Sequence, residues 1–479
     1  MVKKVIDKQA YAFQQFSLLP GLTPRTCTMS SISLETTLAG VTLGVPLLSA
    51  AMTSVTGYDL ALALAKERGL PILPARMSLE EQIDIVQRIK STEMTFVEDP
   101  ITVRETATID EALRLVEKYG HSSIPVVDRN NVFLGMFIHS EYLARGIPVN
   151  ENITTAMLYD PVVLCVQNPA ISVDETVALL EKEKQPHLVV LDENRRLVKL
   201  AFKKDKEKLK VGLAITTHAG WQNRVRAGHQ AGVDLFVIDS SDGFTEFQGD
   251  VLDEYKKMKI PVPICAGNVI TYDGAMYLME KGADMIKVGM SPGSTCTTFR
   301  EKSTGRGSMT ALLEVDRARN DFLKKNASLL YVPVIADGGI PGSAEMIIAL
   351  TVADALMLGG YFNRFFEAAG EKINDRGGIT LHDDDIAYVA SWGEGSIRAR
   401  NLGRYGHGGF VTFFAEGEEG RVPYAGRLKP NLKRDILKIK SAMANAGAMN
   451  LQEFRKKAVI ELNSDGAGYI NRNPHGLVK

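Results

Sequence analysis

Lys281-Gly-Ala-Asp-Met-Ile-Lys-Val-Gly-Met-Ser-Pro-Gly-Ser-Thr-Cys-Thr-Thr298 contains, in one line, the parts from which most of this chain is built. Lys281-Gly282 stops a helix. Asp284 follows, and Asp284–Val288 is a short apolar run that reads as a buried strand. Gly289, Pro292 and Gly293 then mark a loop, and glycine lets a ligand approach the backbone closely. The loop ends on a thiol, Cys296, with serine and threonine hydroxyls on both sides. Such a cysteine is either a small apolar residue at the edge of the core or a nucleophile. The loop alone leaves the two readings even.

The same order of parts recurs outward from this stretch. Apolar runs ending in small or polar residues occur at Val45–Ala51, Leu70–Ala75, Lys210–Ile215, Leu235–Ser240, Val262–Gly267, Met285–Gly289, Val332–Gly338 and Ala355–Gly359. Helical patterns ending in glycine lie between several of them, as at Val225–Gly232 and Gly274–Gly282. Ala231-Gly-Val-Asp-Leu, Lys281-Gly-Ala-Asp-Met and Val352-Ala-Asp-Ala-Leu share one form, an Asp just ahead of a strand. Buried runs alternating with helices predict a parallel sheet. Eight such units predict an α/β fold, a (β/α)8 TIM barrel, whose chemistry sits on the loops after the strands. Polar residues cluster there, at Asp239–Gly243, Ala266–Asn268, the Cys296 loop, Asp337–Ile340 and Gly359–Gly360. A structural thiol has no reason to share that end, which favours the nucleophile.

Bulk composition narrows the class. A chain of 479 residues predicts two or three domains, and 45% hydrophobic with 24% charged residues is ordinary for a globular protein. The formal net charge of -1 excludes the basic balance of a nucleic-acid binder. Cys27, Cys165, Cys265 and Cys296 are scattered without a CxxC pair, against a disulfide framework or zinc site and in keeping with a reducing compartment. No signal peptide and no bilayer-spanning run are recognised, so no membrane role and a cytoplasmic location are expected.

The barrel is interrupted. The expected domains are 1–94 (barrel, first part), 95–205 (insert) and 206–479 (barrel, second part). The insert repeats itself without gaps. Val127-Asp-Arg-Asn-Asn-Val-Phe-Leu134 matches Leu191-Asp-Glu-Asn-Arg-Arg-Leu-Val198, and Ile109–Val116 matches Val173–Leu180. Two such units resemble a tandem pair of CBS modules, a regulatory or spacer element. That likeness makes Glu141 and Asp205 candidates for a nucleotide ribose; each is equally readable as an acid starting a helix. After the eighth strand the chain runs far beyond one closing helix. Its glycine-dense stretch at about 380–430 has poor apolar periodicity and is expected to be a mobile flap over the site.

These residues together resemble the IMP dehydrogenase/GMP reductase family, and within it the dehydrogenase branch. The likeness spans nearly the whole chain: Leu18–Leu22, Asp239-Ser-Ser, Ala266-Gly-Asn, Pro292–Thr298, Ala336–Ile340, the CBS-like insert and Arg404-Tyr405. The resemblance implies oxidation of IMP to XMP with NAD. Cys296 attacks purine C2, a hydride leaves to the nicotinamide, and water hydrolyses the covalent thioimidate. Splitting one hard step into two is what a covalent nucleophile offers. Backbone amides and hydroxyls around the thiol are expected to aid its ionisation. By position, Ser294, Gly339, Gly359 and Gly360 are implied at the 5′-phosphate. Asp337 is implied at the ribose hydroxyls, and Glu416 at the purine N1 edge. Asp239, Ser240, Ser241 and Asn268 are implied on the nicotinamide side. No G-x-G-x-x-G fingerprint follows a strand, so NAD is not expected to bind in the Rossmann manner. Arg404 is implied as the base on water, assisted by Tyr405 and Thr298, although arginine is normally always charged. A monovalent cation, K+, is implied on the carbonyls of Ser291, Gly293 and Cys296, with Asp465, Gly466 and Ala467 as ligands from a neighbouring subunit. A homotetramer that can pair into octamers is implied as well.

This chain departs from the family pattern in places. Ser291 stands for a common glycine, Gly360 for a serine and Ser391 for a tyrosine that helps hold phosphate. Phe299 separates the threonine pair from Arg300, and Ser464–Gly468 is a loose version of the cation motif. Two rival readings remain: a GMP reductase using NADPH, and a nucleotide sensor with a vestigial barrel. The Arg404-Tyr405 pair argues against the first, and the full set of candidate catalytic residues against the second.

Overall fold

The computed structural model describes residues 5–92, 96–159, 163–202, 208–290, 293, 295, 297–326, 331–399 and 415–464. The chain divides into two compact units, Met1–Lys90 with Leu209–Lys479, and Ser91–Lys208.

The larger unit is a parallel eight-stranded barrel. Its strands are β1 (Leu47–Ser49), β2 (Ile72–Leu73), β3 (Gly212–Ile215), β4 (Leu235–Ile238), β5 (Ile264–Val269), β6 (Met285–Val288), β7 (Val334–Asp337) and β8 (Ala355–Leu358). Seven lie within their apolar runs, and β5 continues two residues beyond its run, through Asn268 to Val269. Neighbours pair in chain order and β8 pairs with β1. Between β1 and β2 only the Leu48–Leu70 bridge closes the ring, so the barrel is nearly closed. The interior is filled by Leu48, Ile72, Ala214, Leu235, Val237, Cys265, Met285, Ile335, Ala355 and Met357. It is a packed core and not a pore.

The helices of the outer ring are α1 (Tyr58–Lys66), α2 (Leu79–Lys90), α3 (Trp221–Ala231), α4 (Glu246–Met258), α5 (Tyr272–Glu280), α6 (Ser308–Lys325), α7 (Ser343–Leu350) and α8 (Leu428–Asn445). Helix α8 packs on both α7 and α1, which completes the ring. Gly232 ends α3 at φ 90°, a left-handed stop that glycine adopts without strain.

The recurrent Asp ahead of a strand has a physical role. Asp234 donates its N–H to Val211 O (2.9 Å) and accepts the Val211 N–H on its carboxylate (2.8 Å). Asp284 does the same with Ile264 (3.0 and 2.8 Å), and Asp354 with Val334 (2.9 and 2.8 Å). Each aspartate therefore clamps the start of the preceding strand, pairing β3 with β4, β5 with β6 and β7 with β8. Burial raises the Asp284 carboxyl above its ordinary range, against the hydrogen bond from Ile264.

Two features were not foreseen from sequence. The hairpin Thr36–Leu38/Val41–Leu43 packs Leu38, Val41 and Leu43 into the barrel core, turning at Ala39-Gly40 with φ 46° and 93°. The glycine-dense C-terminal stretch is also only partly loop. Tyr388–Trp392 pairs antiparallel with Glu419–Pro423 and with Lys372–Ile373 in a three-stranded sheet. Val389, Ala390, Ser391 and Trp392 are all buried, so the period-two signal of a half-exposed strand is missing there.

The smaller unit contains the internal repeat as structure. Ile109–Tyr119, Ser123–Val127 and Phe133–Ile138 correspond to Val173–Lys182, His187–Leu191 and Leu197–Phe202. Both helices open on the same capping box, Thr108 with Glu111 and Ser172 with Glu175. The repeated turn is held by an aspartate: Asp128 accepts the N–H groups of Asn130 and Val132, and Asp192 those of Asn194 and Arg196. The repeats clasp reciprocally, Phe133 N to Arg195 O and Leu197 N to Asn131 O. Glu141 lies in the first turn of His139–Arg145, and Asp205 lies outside the described residues.

Candidate active site

One cavity of about 750 Å³ opens at the C-terminal ends of the barrel strands. Its wall takes Met52 from the loop after β1, Arg76 from the loop after β2, and Asp239, Ser240 and Ser241 from the loop after β4. Asn268 and Lys287 line it from β5 and β6, Gly289 from just after β6, Asp337 from the end of β7 with Gly338–Pro341 after it, and Gly359–Tyr361 and Arg364 after β8. Gly393–Gly395, Glu416 and Val422–Ala425 complete it from the C-terminal segment, and Gln14 from the N-terminal one.

Most candidates named from sequence that fall among the described residues meet here. Asp239, Ser240, Ser241, Asn268, Gly293, Thr298, Asp337, Gly339, Gly359, Gly360 and Glu416 all line this cavity. Cys296, Ser291, Ser294, Arg404, Tyr405, Asp465, Gly466 and Ala467 lie outside the described residues. Ser391 sits in the Tyr388–Trp392 strand and is not part of the wall.

Asp337, Asn268 and Lys287 form a connected polar group. Lys287 is 5% exposed, and its Nζ stands 3.0 Å from Asp337 Oδ2 and donates to Asn268 Oδ1. Asn268 Nδ2 donates to the same Asp337 oxygen (2.9 Å) and to Gly289 O (2.6 Å). Burial works against the Lys287 charge, but Asp337 and Asp239 more than offset it and hold the ammonium above its ordinary pKa. Asp337 is thereby held in place with one oxygen, Oδ2, already engaged.

Glu416 belongs to the same wall. Its carboxylate takes Lys302 Nζ at 2.7 Å and the Thr298 hydroxyl at 3.4 Å. Thr297 N donates to Glu416 O (3.1 Å) and Glu418 N to Thr295 O (2.9 Å), so this segment is stitched to the stretch leading out of β6. Glu394 pairs with Arg76 at 2.9 Å and accepts Thr53 N and Oγ1 at 2.7 and 2.8 Å. Burial pushes the Glu394 carboxyl up, while Arg76 and Thr53 pull it back.

Close approach explains a glycine of the signature stretch. Gly289 has φ 145°, and a Cβ there would overlap the carbonyl oxygen of Asp337. Cys265 is instructive by contrast: fully buried in the barrel core, its thiol is pushed up to about 12 and stays protonated, the inert state of a structural cysteine.

Sequence reasoning missed Arg76, Lys287, Arg364 and Glu394. Lys287 alone carried a signal: a lysine inside a four-residue strand whose other residues are apolar needs a buried carboxylate.

Fold and site together define a (β/α)8 barrel of the kind that works from its strand C-termini. The chain belongs to the IMP dehydrogenase / GMP reductase family, whose domain model matches residues 10–475. It is 32% identical over 491 residues to an inosine-5′-monophosphate dehydrogenase of Tritrichomonas foetus, covering 96% of this chain and 94% of that protein. The inosine-5′-monophosphate dehydrogenase of Escherichia coli K12 is 32% identical over 498 residues, covering 98% and 97%. Among solved structures, a GMP reductase variant of Trypanosoma brucei in complex with guanosine 5′-monophosphate superposes with a TM-score of 0.69 at 22% identity, over 99% of both chains. That likeness is one of fold.

Proposed function

We propose that the protein oxidises IMP to XMP with NAD and water, through a covalent bond between Cys296 and purine C2. The observation that supports this most is the convergence of the separately named candidate residues on one cavity at the end of the barrel where β6 runs into the Cys296 loop.

Asp337 offers its free carboxylate oxygen to the ribose hydroxyls while Lys287 and Asn268 hold the other. Gly339, Gly359 and Gly360, with Ser294, present backbone amides and a hydroxyl to the phosphate. Glu416 faces the purine edge and is kept in place by Lys302 and Thr298. The Cys296 thiolate adds to C2 as the hydride leaves; water then adds to C2, the thiolate departs and a proton is released. NAD, when bound, accepts that hydride. The carboxylate and hydroxyls of Asp239, Ser240 and Ser241 and the amide of Asn268 suit its ribose and carboxamide. Arg404, with Tyr405 and Thr298, takes the proton from water. K+ would rest on the carbonyls of Ser291, Gly293 and Cys296. The insert, 95–205, is taken as a CBS pair open to a regulatory purine nucleotide, and the protein as a cytoplasmic homotetramer with the segment about 380–430 as its flap.

The test is to supply IMP with NAD, and separately GMP with NADPH, and follow absorbance of the reduced cofactor. Reduced cofactor should appear only with IMP; consumption of NADPH with GMP would instead make the protein a reductase. Cys296→Ala should abolish both phases. Arg404→Ala should spare the first burst of NADH and slow XMP release, and equal loss of both phases would remove Arg404 from hydrolysis.

A further inference from the structure

Arg76 and Glu394 of the cavity wall pair with each other, but Arg364 has no place in the reading above. Arg364 follows the one-turn helix Gly360–Asn363 and lines the wall beside Gly360, Tyr424 and Ala425. Its backbone is fixed by Ala425 N, which donates to Arg364 O at 2.9 Å. Its guanidinium lies over the rings of Tyr361 (4.6 Å) and Phe365 (5.4 Å), so its plane is held without a carboxylate. Among the described residues Arg364 forms no ion pair, and its buried Nε meets no hydrogen-bond acceptor.

The acids of this region are engaged elsewhere. Asp435 takes the Tyr361 hydroxyl (2.7 Å) and Lys438 (2.8 Å). Asp383 takes Arg427 (2.8 Å) and Tyr424. Glu367 accepts the Leu428 N–H (2.9 Å). A permanently charged guanidinium in a cavity wall without a carboxylate partner is costly unless a ligand supplies the counter-charge. The same end carries the sequence departures: Gly360 offers no hydroxyl, and Ser391 does not reach the wall.

We propose that Arg364 is the specificity-determining residue of the anion end of the cavity. It supplies the positive charge that selects a phosphorylated nucleoside over the neutral nucleoside. This rests on the placing of the phosphate beside Gly339 and Gly360. A guanidinium fork matches phosphate oxygens in charge and geometry.

The experiment compares binding of IMP, inosine and ribose 5-phosphate to the full chain by calorimetry, for wild type, Arg364→Met and Arg364→Lys. Methionine keeps an apolar stem over Tyr361 and removes the charge. Arg364→Met should weaken IMP and ribose 5-phosphate by about 10- to 100-fold, the range for a charged hydrogen bond, and leave inosine within about twofold. Arg364→Lys should recover part of the loss. Unchanged affinity for the two phosphates, or an equal loss for inosine, overturns the assignment. Ribose 5-phosphate binding that depends on Arg364, in a protein that reduces no NAD with IMP, would uphold Arg364 and reject the dehydrogenase reading.

Discussion

Replacing Lys287 with methionine tests the polar group on which the site depends. The stem of Lys287 packs in strand β6 and methionine preserves it; only the ammonium is lost. Asp337 then keeps one donor, Asn268 Nδ2, and Asn268 Oδ1 loses the one it has. Breaking a buried ion pair from one side costs about 3–5 kcal/mol. The Asp337 side chain is 19% exposed toward the cavity, so water can offset part of this, and about 3 kcal/mol remains. If that loss falls on the productive geometry of the ribose contact, kcat/KM for IMP drops by roughly 100-fold. The assay is initial-rate formation of reduced cofactor, with ribose 5-phosphate binding as a second readout. The deficit should not depend on pH near neutrality. Lys287 has a folded pKa raised above 10.5, so its stabilisation is complete below that value and is lost only as pH rises through the folded one. A variant within about threefold of wild type would refute the claim that Lys287 holds Asp337 for substrate.

Gly289→Ala should abolish activity and lower soluble yield, because the new Cβ meets the Asp337 carbonyl and φ 145° is strained for alanine; a soluble variant with full kcat/KM would contradict the packing. Glu367 is held above its ordinary 4.5 by burial, offset in part by the Leu428 N–H. Its folded pKa is raised, so wild-type stability should fall as pH rises from the ordinary carboxylate value through the folded one. Glu367→Gln should flatten that dependence in denaturant midpoints measured across this window, and an identical slope in both proteins would refute it. Glu416→Gln should raise KM for IMP more than it lowers kcat, about 10-fold for a weakened charged contact, and a pure kcat effect would move Glu416 from binding to chemistry.

The barrel was legible because its strands are buried on both faces and so read as continuous apolar runs between helices that stop on glycine. The site was legible in the same way, since the polar residues just past each run must share one end of a barrel. Where local pattern and long-range packing part company, reading failed. Tyr388–Trp392 lies among glycines and pairs with a segment beyond the Arg404 stretch, so nothing nearby marks it as a strand. The Arg76–Glu394 pair joins loops more than three hundred positions apart, and neither residue is unusual where it stands. Arg364 was passed over because nothing in Tyr361-Phe-Asn-Arg-Phe365 sets one arginine apart; only its lack of an acid partner among the described residues gives it meaning. In the insert, by contrast, the repeated Asp128 and Asp192 are local turn chemistry, and local chemistry survives in sequence.

The clamps made by Asp234, Asp284 and Asp354 lie at the base of the barrel, a full strand length from the rim where the cavity opens. Alignment of successive strands is thus decided where no substrate reaches. Loops at the rim can lengthen, exchange residues or take on a new arginine without shifting the staves that carry them. A chain arranged like this can drift far from its relatives in the contacts it makes while its frame stays put, and the combination of near-complete coverage with only 32% identity is what such drift leaves behind.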